Sequence, residues 1–149
     1  MNPHQVTKDF ERALCEYTGA PHAVAVNSCT MALLLAVAWF HEHSAPGSLN
    51  QGSRALSFTK GHRPEVSIPK RTYISVPMSI IHAGGRPVFR DEDWIGGYRL
   101  NPLPVWDSAR WFTQDMYQAG DPGDFICVSF HASKTLGIAQ GGAILHDNP

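Results

Sequence analysis

Apolar side chains at Val6, Phe10, Ala13, Leu14 and Tyr17 recur at three- and four-residue steps. That spacing predicts an amphipathic helix, and Gly19 is placed to stop it. Residues 23–26 form a short β-leaning run. It breaks at Asn27-Ser28-Cys29-Thr30, after which residues 31–40 are apolar nearly all round. The order is strand, small polar turn, buried helix. Residues 41–64 are rich in Ser, Gly, His and Pro and carry no period, which predicts a long loop. Residues 65–69 read as the next strand. Thr72-Tyr73-Ile74-Ser75 then leads into a helix that tolerates Pro77 in its first turn and ends at Gly84-Gly85. Residues 87–89 are a third strand, 91–102 a loop, and 104–106 a fourth strand ending in Asp107. A helical stretch through Trp111 and Met116 is expected before Gly120-Asp121-Pro122-Gly123. Residues 125–130 and 142–146 are the fifth and sixth strands, and there is no internal repeat.

Strands alternating with helices predict an α/β fold, a mostly parallel sheet with flanking helices. In such sheets ligands gather at the carboxyl ends of the strands. Ser28 with Thr30, Tyr73 and Asp107 sit at such ends, and Lys134 closely follows the fifth strand.

Length and composition narrow the picture. The 149 residues fit one domain, 1–149, and 43% hydrophobic content is enough for a core. Net charge is -1, with Lys and Arg scattered rather than striped, so no nucleic-acid surface is expected. His41 and His43 flank Glu42 without a second ligand cluster, and no metal site is expected. Cys15, Cys29 and Cys127 form no CxxC pair and no disulfide framework, which fits a reduced, cytoplasmic setting. The first ten residues are too polar for a signal peptide, and 31–40 is too short to span a bilayer.

Four features carry candidate chemistry. The turn 27–30 opens a helix, where free N–H groups and the positive end of the helix dipole suit a phosphate. Taken alone, the turn reads first as an ordinary N-cap by Ser28 or Thr30, which helices want anyway. Asp107 could fix a cation such as a protonated pyridine nitrogen, or cap a following helix. Lys134, just after a buried strand, could form a Schiff base if partly desolvated, or lie solvated in a loop. Gly141-Gly142 would allow close backbone approach, or form a turn.

The order and spacing of these features resemble the DegT/DnrJ/EryC1/StrS family of sugar aminotransferases. Residues 10–35 are similar to that family's opening helix and Ser-Gly-Thr phosphate turn, and 65–89 to its EVIVPSFTY…GAKPVF stretch. Residues 104–109 resemble its EDAA segment. Residues 125–149, with Ser129-Phe130-His131-Ala132-Ser133-Lys134, resemble its SFHxxKxxxxGEGG segment and match most closely the members that make 4-amino-4-deoxy sugars.

The resemblance implies the large domain of pyridoxal-phosphate (PLP) fold type I and a set of roles. Lys134 matches the Schiff-base lysine that also shuttles protons. Asp107 matches the partner of the pyridinium nitrogen, and Tyr73 the aromatic stacked on the ring. Ser28, Thr30 and Ser129 match phosphate-contacting positions, and His131 a supporting one. Arg110 stands where a Gln or His commonly meets the phenolic oxygen. Cys29 replaces a usual Gly, so the turn must accept a Cβ. Trp106 and Gln140 each replace a usual Glu.

The implied reaction moves an amino group from an amino acid, glutamate first, to a keto sugar nucleotide. Relatives that dehydrate sugars carry His where Lys134 stands, so transamination is the expected chemistry. Relatives are much longer. They hold a further strand and helix between the positions of Phe89 and Asp107, which implies an uncovered sheet edge beside Asp107, and a small C-terminal domain that this chain is expected to lack. Their sites form at a dimer interface. A homodimer or a complementary chain is therefore expected. A non-catalytic remnant and one half of a split enzyme stand as alternatives.

Overall fold

The computed structural model describes residue 2, residues 4–43 and residues 63–149. Helix α1, Gln5–Thr18, ends at Gly19, whose φ of 75° and N–H to the Cys15 carbonyl (2.9 Å) make it the left-handed C-cap. The helix buries Leu14 and Thr18, and Phe10 packs edge-on to Phe130 at 5.3 Å between centroids. Val6 is 76% exposed and Ala13 is also exposed, so the packed stripe is narrower than the apolar spacing implied. Strand β1, His22–Val26, leads through the polar turn into α2, Cys29–His43. One side of α2 meets the sheet and another meets α3, Ser75–His82, which explains why it is apolar nearly all round. The predicted loop begins later than expected, because α2 runs on to His43, and residues 44–62 lie outside the described residues.

The strands are β2 (Glu65–Pro69), β3 (Arg86–Arg90), β4 (Tyr98–Arg99), β5 (Val105–Ser108), β6 (Phe125–Ser129) and β7 (Gly142–His146). The α/β class stands, but the sheet is mixed and not mostly parallel. A five-stranded sheet runs β1-β7-β6-β5-β4, in which only β5 and β6 are parallel. The reason lies in the connections. A parallel pair needs a long crossover, usually a helix. No helix lies between β6 and β7, or between β4 and β5, so each of these strands turns back antiparallel. Strands β2 and β3 form a separate parallel pair.

Two further expectations change. The helix predicted through Trp111 and Met116 is only a 3-10 turn, Met116–Ala119, because Asp115 takes a left-handed φ of 54° immediately before it. The segment 91–102, read as loop, contains β4. That strand covers the edge of β5 that was expected to lie open. Ser67 and Asn101 exchange two backbone hydrogen bonds (2.6 and 3.1 Å), which ties the β2–β3 pair to the far side of β4. The Arg90 guanidinium reinforces the join by donating to the carbonyls of Ser67 and Arg99.

Period-two alternation gives the sheet two covered faces. On one side Phe125, Cys127 and Ile144 pack with Leu33, Val37, Val66, Ile68 and Ile80 beneath α2 and α3. On the other, Ile126, Val128, Ala143 and Leu145 pack with Leu14, Phe112 and Met116 beneath α1. The carboxyl ends of β5 and β6 and the amino end of α2 meet at one rim.

Candidate active site

At that rim lies a cleft of about 460 Å³. Ser28, Thr30, Tyr73, Asp107, Ser129 and Lys134 all line it, although they come from separate parts of the chain. Arg110 does not join them. It is exposed, and its backbone carbonyl accepts a hydrogen bond from the Thr135 hydroxyl at 3.3 Å.

The polar turn is both a cap and a candidate anion seat. Ser28 Oγ accepts the Met31 N–H (3.2 Å) and donates to Asn27 Oδ1 (3.1 Å), so the N-cap reading of Ser28 holds. Capping uses one of the helix's free N–H groups and leaves others at the amino end. The Cβ that Cys29 adds turns into the core, with Sγ 3.7 Å from the Cys127 carbonyl. Burial pushes this thiol well above its ordinary range, so it is a packing group rather than a nucleophile. Gly142 is the matching surface. A Cβ there would stand 2.5 Å from the Ser28 carbonyl carbon and from the Cys29 nitrogen, so β7 reaches the turn only as glycine.

Asp107 is 6% exposed. Its Oδ2 accepts the Tyr98 hydroxyl at 2.8 Å, and its Oδ1 accepts the Ala109 N–H at 3.0 Å. Burial holds the carboxyl above the usual aspartate range, opposed by these two donors and by the Lys134 charge. No helix directly follows Asp107, so its cap is a local turn to Ala109. Lys134, half-buried, lines the same cleft, its backbone N–H bonded to the His131 carbonyl at 2.8 Å. Its amine has no hydrogen bond or ion pair among the described residues. Ser129 is buried, with Oγ accepting the His131 N–H at 3.4 Å, and the His131 ring bonds Ser133 Oγ at 2.9 Å. Tyr73 stands at the mouth, 71% exposed.

Tyr98 was not singled out from the sequence. It is 3% exposed and touches the key carboxylate. The one signal was alternation, since Tyr98 and Leu100 are apolar on either side of Arg99, within a stretch otherwise rich in Gly, Asp and Pro.

The rim thus sets a buried carboxylate, the half-buried Lys134 amine and a helix amino terminus around one space. Residues 2–95 match the model of the DegT/DnrJ/EryC1/StrS aminotransferase family. The chain belongs to this family. The matched DegT/DnrJ/EryC1/StrS region includes Ser28, Thr30 and Tyr73 and stops short of Asp107 and Lys134. Relatives extend the likeness. The spore coat polysaccharide biosynthesis protein SpsC of Bacillus subtilis is 38% identical over 95% of this chain and 42% of its own length. The UDP-4-amino-4,6-dideoxy-N-acetyl-beta-L-altrosamine transaminase of Campylobacter jejuni is 27% identical over 94% of this chain and 43% of its own. The chain therefore spans less than half the length of these DegT/DnrJ/EryC1/StrS relatives. Among solved structures, DesV of S. venezuelae superposes with a TM-score of 0.61 at 21% identity, covering 100% of this chain and 46% of that one. Helicobacter pylori PseC, an aminotransferase involved in the biosynthesis of pseudoaminic acid, gives 0.60 at 20%, covering 95% and 44%. At these identities the superpositions establish the fold.

Proposed function

We propose that residues 1–149 form, as one unit, the cofactor-bearing part of a PLP-dependent nucleotide-sugar aminotransferase, with glutamate the expected amino donor and a keto sugar nucleotide the acceptor. The observation that carries this reading is the convergence of Lys134, Asp107, Tyr73 and the turn 27–30 on one cleft. The residues fit the group at both of its ends. Asp107 is a buried carboxylate whose charge is opposed by burial, so a pyridinium N–H on its cleft side would offset that cost. The amino end of α2, a helix of 15 residues, with Ser28, Thr30 and Ser129, suits a phosphate. Tyr73 would cover one ring face.

When bound, PLP supplies an aldehyde carbon that takes up amines and a ring that withdraws electrons. This chain's residues then divide the work. Lys134 holds the cofactor through its amine and moves a proton at Nζ. Asp107 keeps the ring nitrogen protonated. The turn 27–30 anchors the far end and fixes the angle of approach. With Lys134 in place of the His of sugar-dehydrating relatives, the reading is transamination.

A partner completes the picture. The mouth is open at Tyr73, and Ile74, Met78 and Ile81 beside it are exposed apolar groups. A second copy or a complementary chain would cover them. No helix among the described residues is long and apolar enough to cross a membrane. The three free thiols fit the cytoplasm as the compartment.

An absorbance titration tests the reading. Adding PLP to the purified chain should raise a visible band that shifts when glutamate is added. The band should weaken in Asp107→Ala and vanish in Lys134→Ala. A spectrum equal to the sum of free PLP and protein would refute the assignment.

A further inference from the structure

We propose that Tyr98 is a positioning residue for Asp107, one that aims the carboxylate into the cleft and couples it to the turn carrying Tyr73. Its bearing on the cofactor rests on the function proposed above, whereas the contact itself does not.

The geometry begins with β4. That strand is only Tyr98–Arg99, and it sets Tyr98 directly opposite Asp107 on β5. The approach is close. A Cβ on Gly97 would stand 2.9 Å from the Asp107 carbonyl oxygen, so the residue before Tyr98 must be small. The Tyr98 ring is held from outside by Trp94, edge-on at 4.8 Å, and the Trp94 indole N–H is tied to the Arg71 carbonyl at 2.8 Å.

The hydroxyl then makes two contacts. It lies 2.8 Å from Asp107 Oδ2 and also within a short hydrogen bond of Thr72 Oγ1. A carboxylate only accepts, so the phenol's one proton goes to Asp107. The Thr72 hydroxyl must therefore donate to the phenolic oxygen. The result is a directed chain from Thr72 through Tyr98 to Asp107. Thr72 immediately precedes Tyr73, the proposed ring-stacking residue. One phenol thus links both walls that would hold the cofactor ring. Asp107 Oδ1 is fixed by the Ala109 N–H. With both oxygens held, the remaining lone pairs have set directions.

The groups facing Asp107 come from three elements and the segment that follows β6. They are Tyr98 on β4, Cys29 on α2, Cys127 on β6 and Lys134 after β6. Burial keeps both thiols neutral at physiological pH. Tyr98 is likewise pushed far up by its own burial and by the Asp107 charge, so it stays a donor. Removing its hydroxyl leaves only the Ala109 N–H and the Lys134 charge to favour the ionised carboxyl.

The test needs no activity. Carbon-13 NMR of the aspartate side-chain carboxyls, with cofactor absent, follows Asp107 through a titration, its signal identified by loss in Asp107→Asn. In Tyr98→Phe the acid constant of Asp107 should move roughly tenfold toward the protonated form, as loss of one hydrogen bond to a charged group implies. Thr72→Val should move it the same way by less, because it acts through the phenol. The PLP affinity of Tyr98→Phe, measured against pH, should show its acid limb displaced upward to match. An unmoved Asp107 midpoint in Tyr98→Phe would overturn the proposal, as would a displaced midpoint with an unmoved affinity profile. If neither protein binds PLP, the proposed function fails, and the carboxyl titration still decides whether Tyr98 governs Asp107.

Discussion

Asp107 is the residue on which most of the electrostatics turns. It is nearly fully buried, and its carboxyl sits above the ordinary aspartate value of 3.8 because burial outweighs the Ala109 and Tyr98 donors and the Lys134 charge. An acid with a raised folded value favours the fold while neutral. That contribution is full below the ordinary value and is lost as pH rises through the folded one. Asp107→Asn, neutral at every pH, should therefore gain stability relative to the wild type as pH rises from about 4 toward neutrality. Urea unfolding of the two proteins without cofactor measures the difference across pH, and a flat difference would contradict it. Cys29 teaches the complementary point. A thiol where glycine is usual in the family turn is accommodated because its side chain leaves the cleft for the core, toward the Cys127 carbonyl.

Strands and helices with strong patterns were legible from sequence. Helix α2, the continuous apolar run of β6 and the glycine stop of α1 each carry a local signal that packing then uses. Strand β4 carries little, since its two residues follow Gly96-Gly97 and end three residues before Pro102, and one apolar–polar–apolar step at Tyr98–Leu100 is too short to mark a strand. Strand direction was not legible either, because it follows from the connections, and a connection read as helix at 111–116 proved to be an irregular segment broken at Asp115. Six of the seven expected site residues converge because they stand at strand ends, where topology gathers side chains. Arg110 does not, because it lies two residues beyond the end of β5 in an exposed turn. Gly142 links element to site. Gly142→Ala would drive a methyl into the Ser28–Cys29 backbone and should lower stability by about 1–3 kcal/mol, the usual cost of overpacking. Chemical denaturation reads this directly, and a loss under about 0.5 kcal/mol, within the range of neutral surface changes, would show that β7 does not press on the turn.

Taken whole, the molecule presents the proposed cofactor cleft with one side open to solvent. Tyr73 and its apolar neighbours Ile74, Met78 and Ile81 face solvent, so water has access to any bound intermediate. The isolated chain should bind PLP and still turn over a 4-keto sugar nucleotide slowly, or else self-associate through that face. A coupled glutamate assay run beside light scattering measures both, and rapid turnover by a well-behaved monomer would contradict this. Beneath these expectations lies one assignment, that Lys134 is the residue to which PLP attaches. Borohydride reduction of the PLP-treated chain, followed by peptide mapping, tests it most directly. The pyridoxyl mass should fall on the peptide carrying Lys134, whereas its absence there, or its spread over surface lysines such as Lys8 and Lys70, would contradict the account.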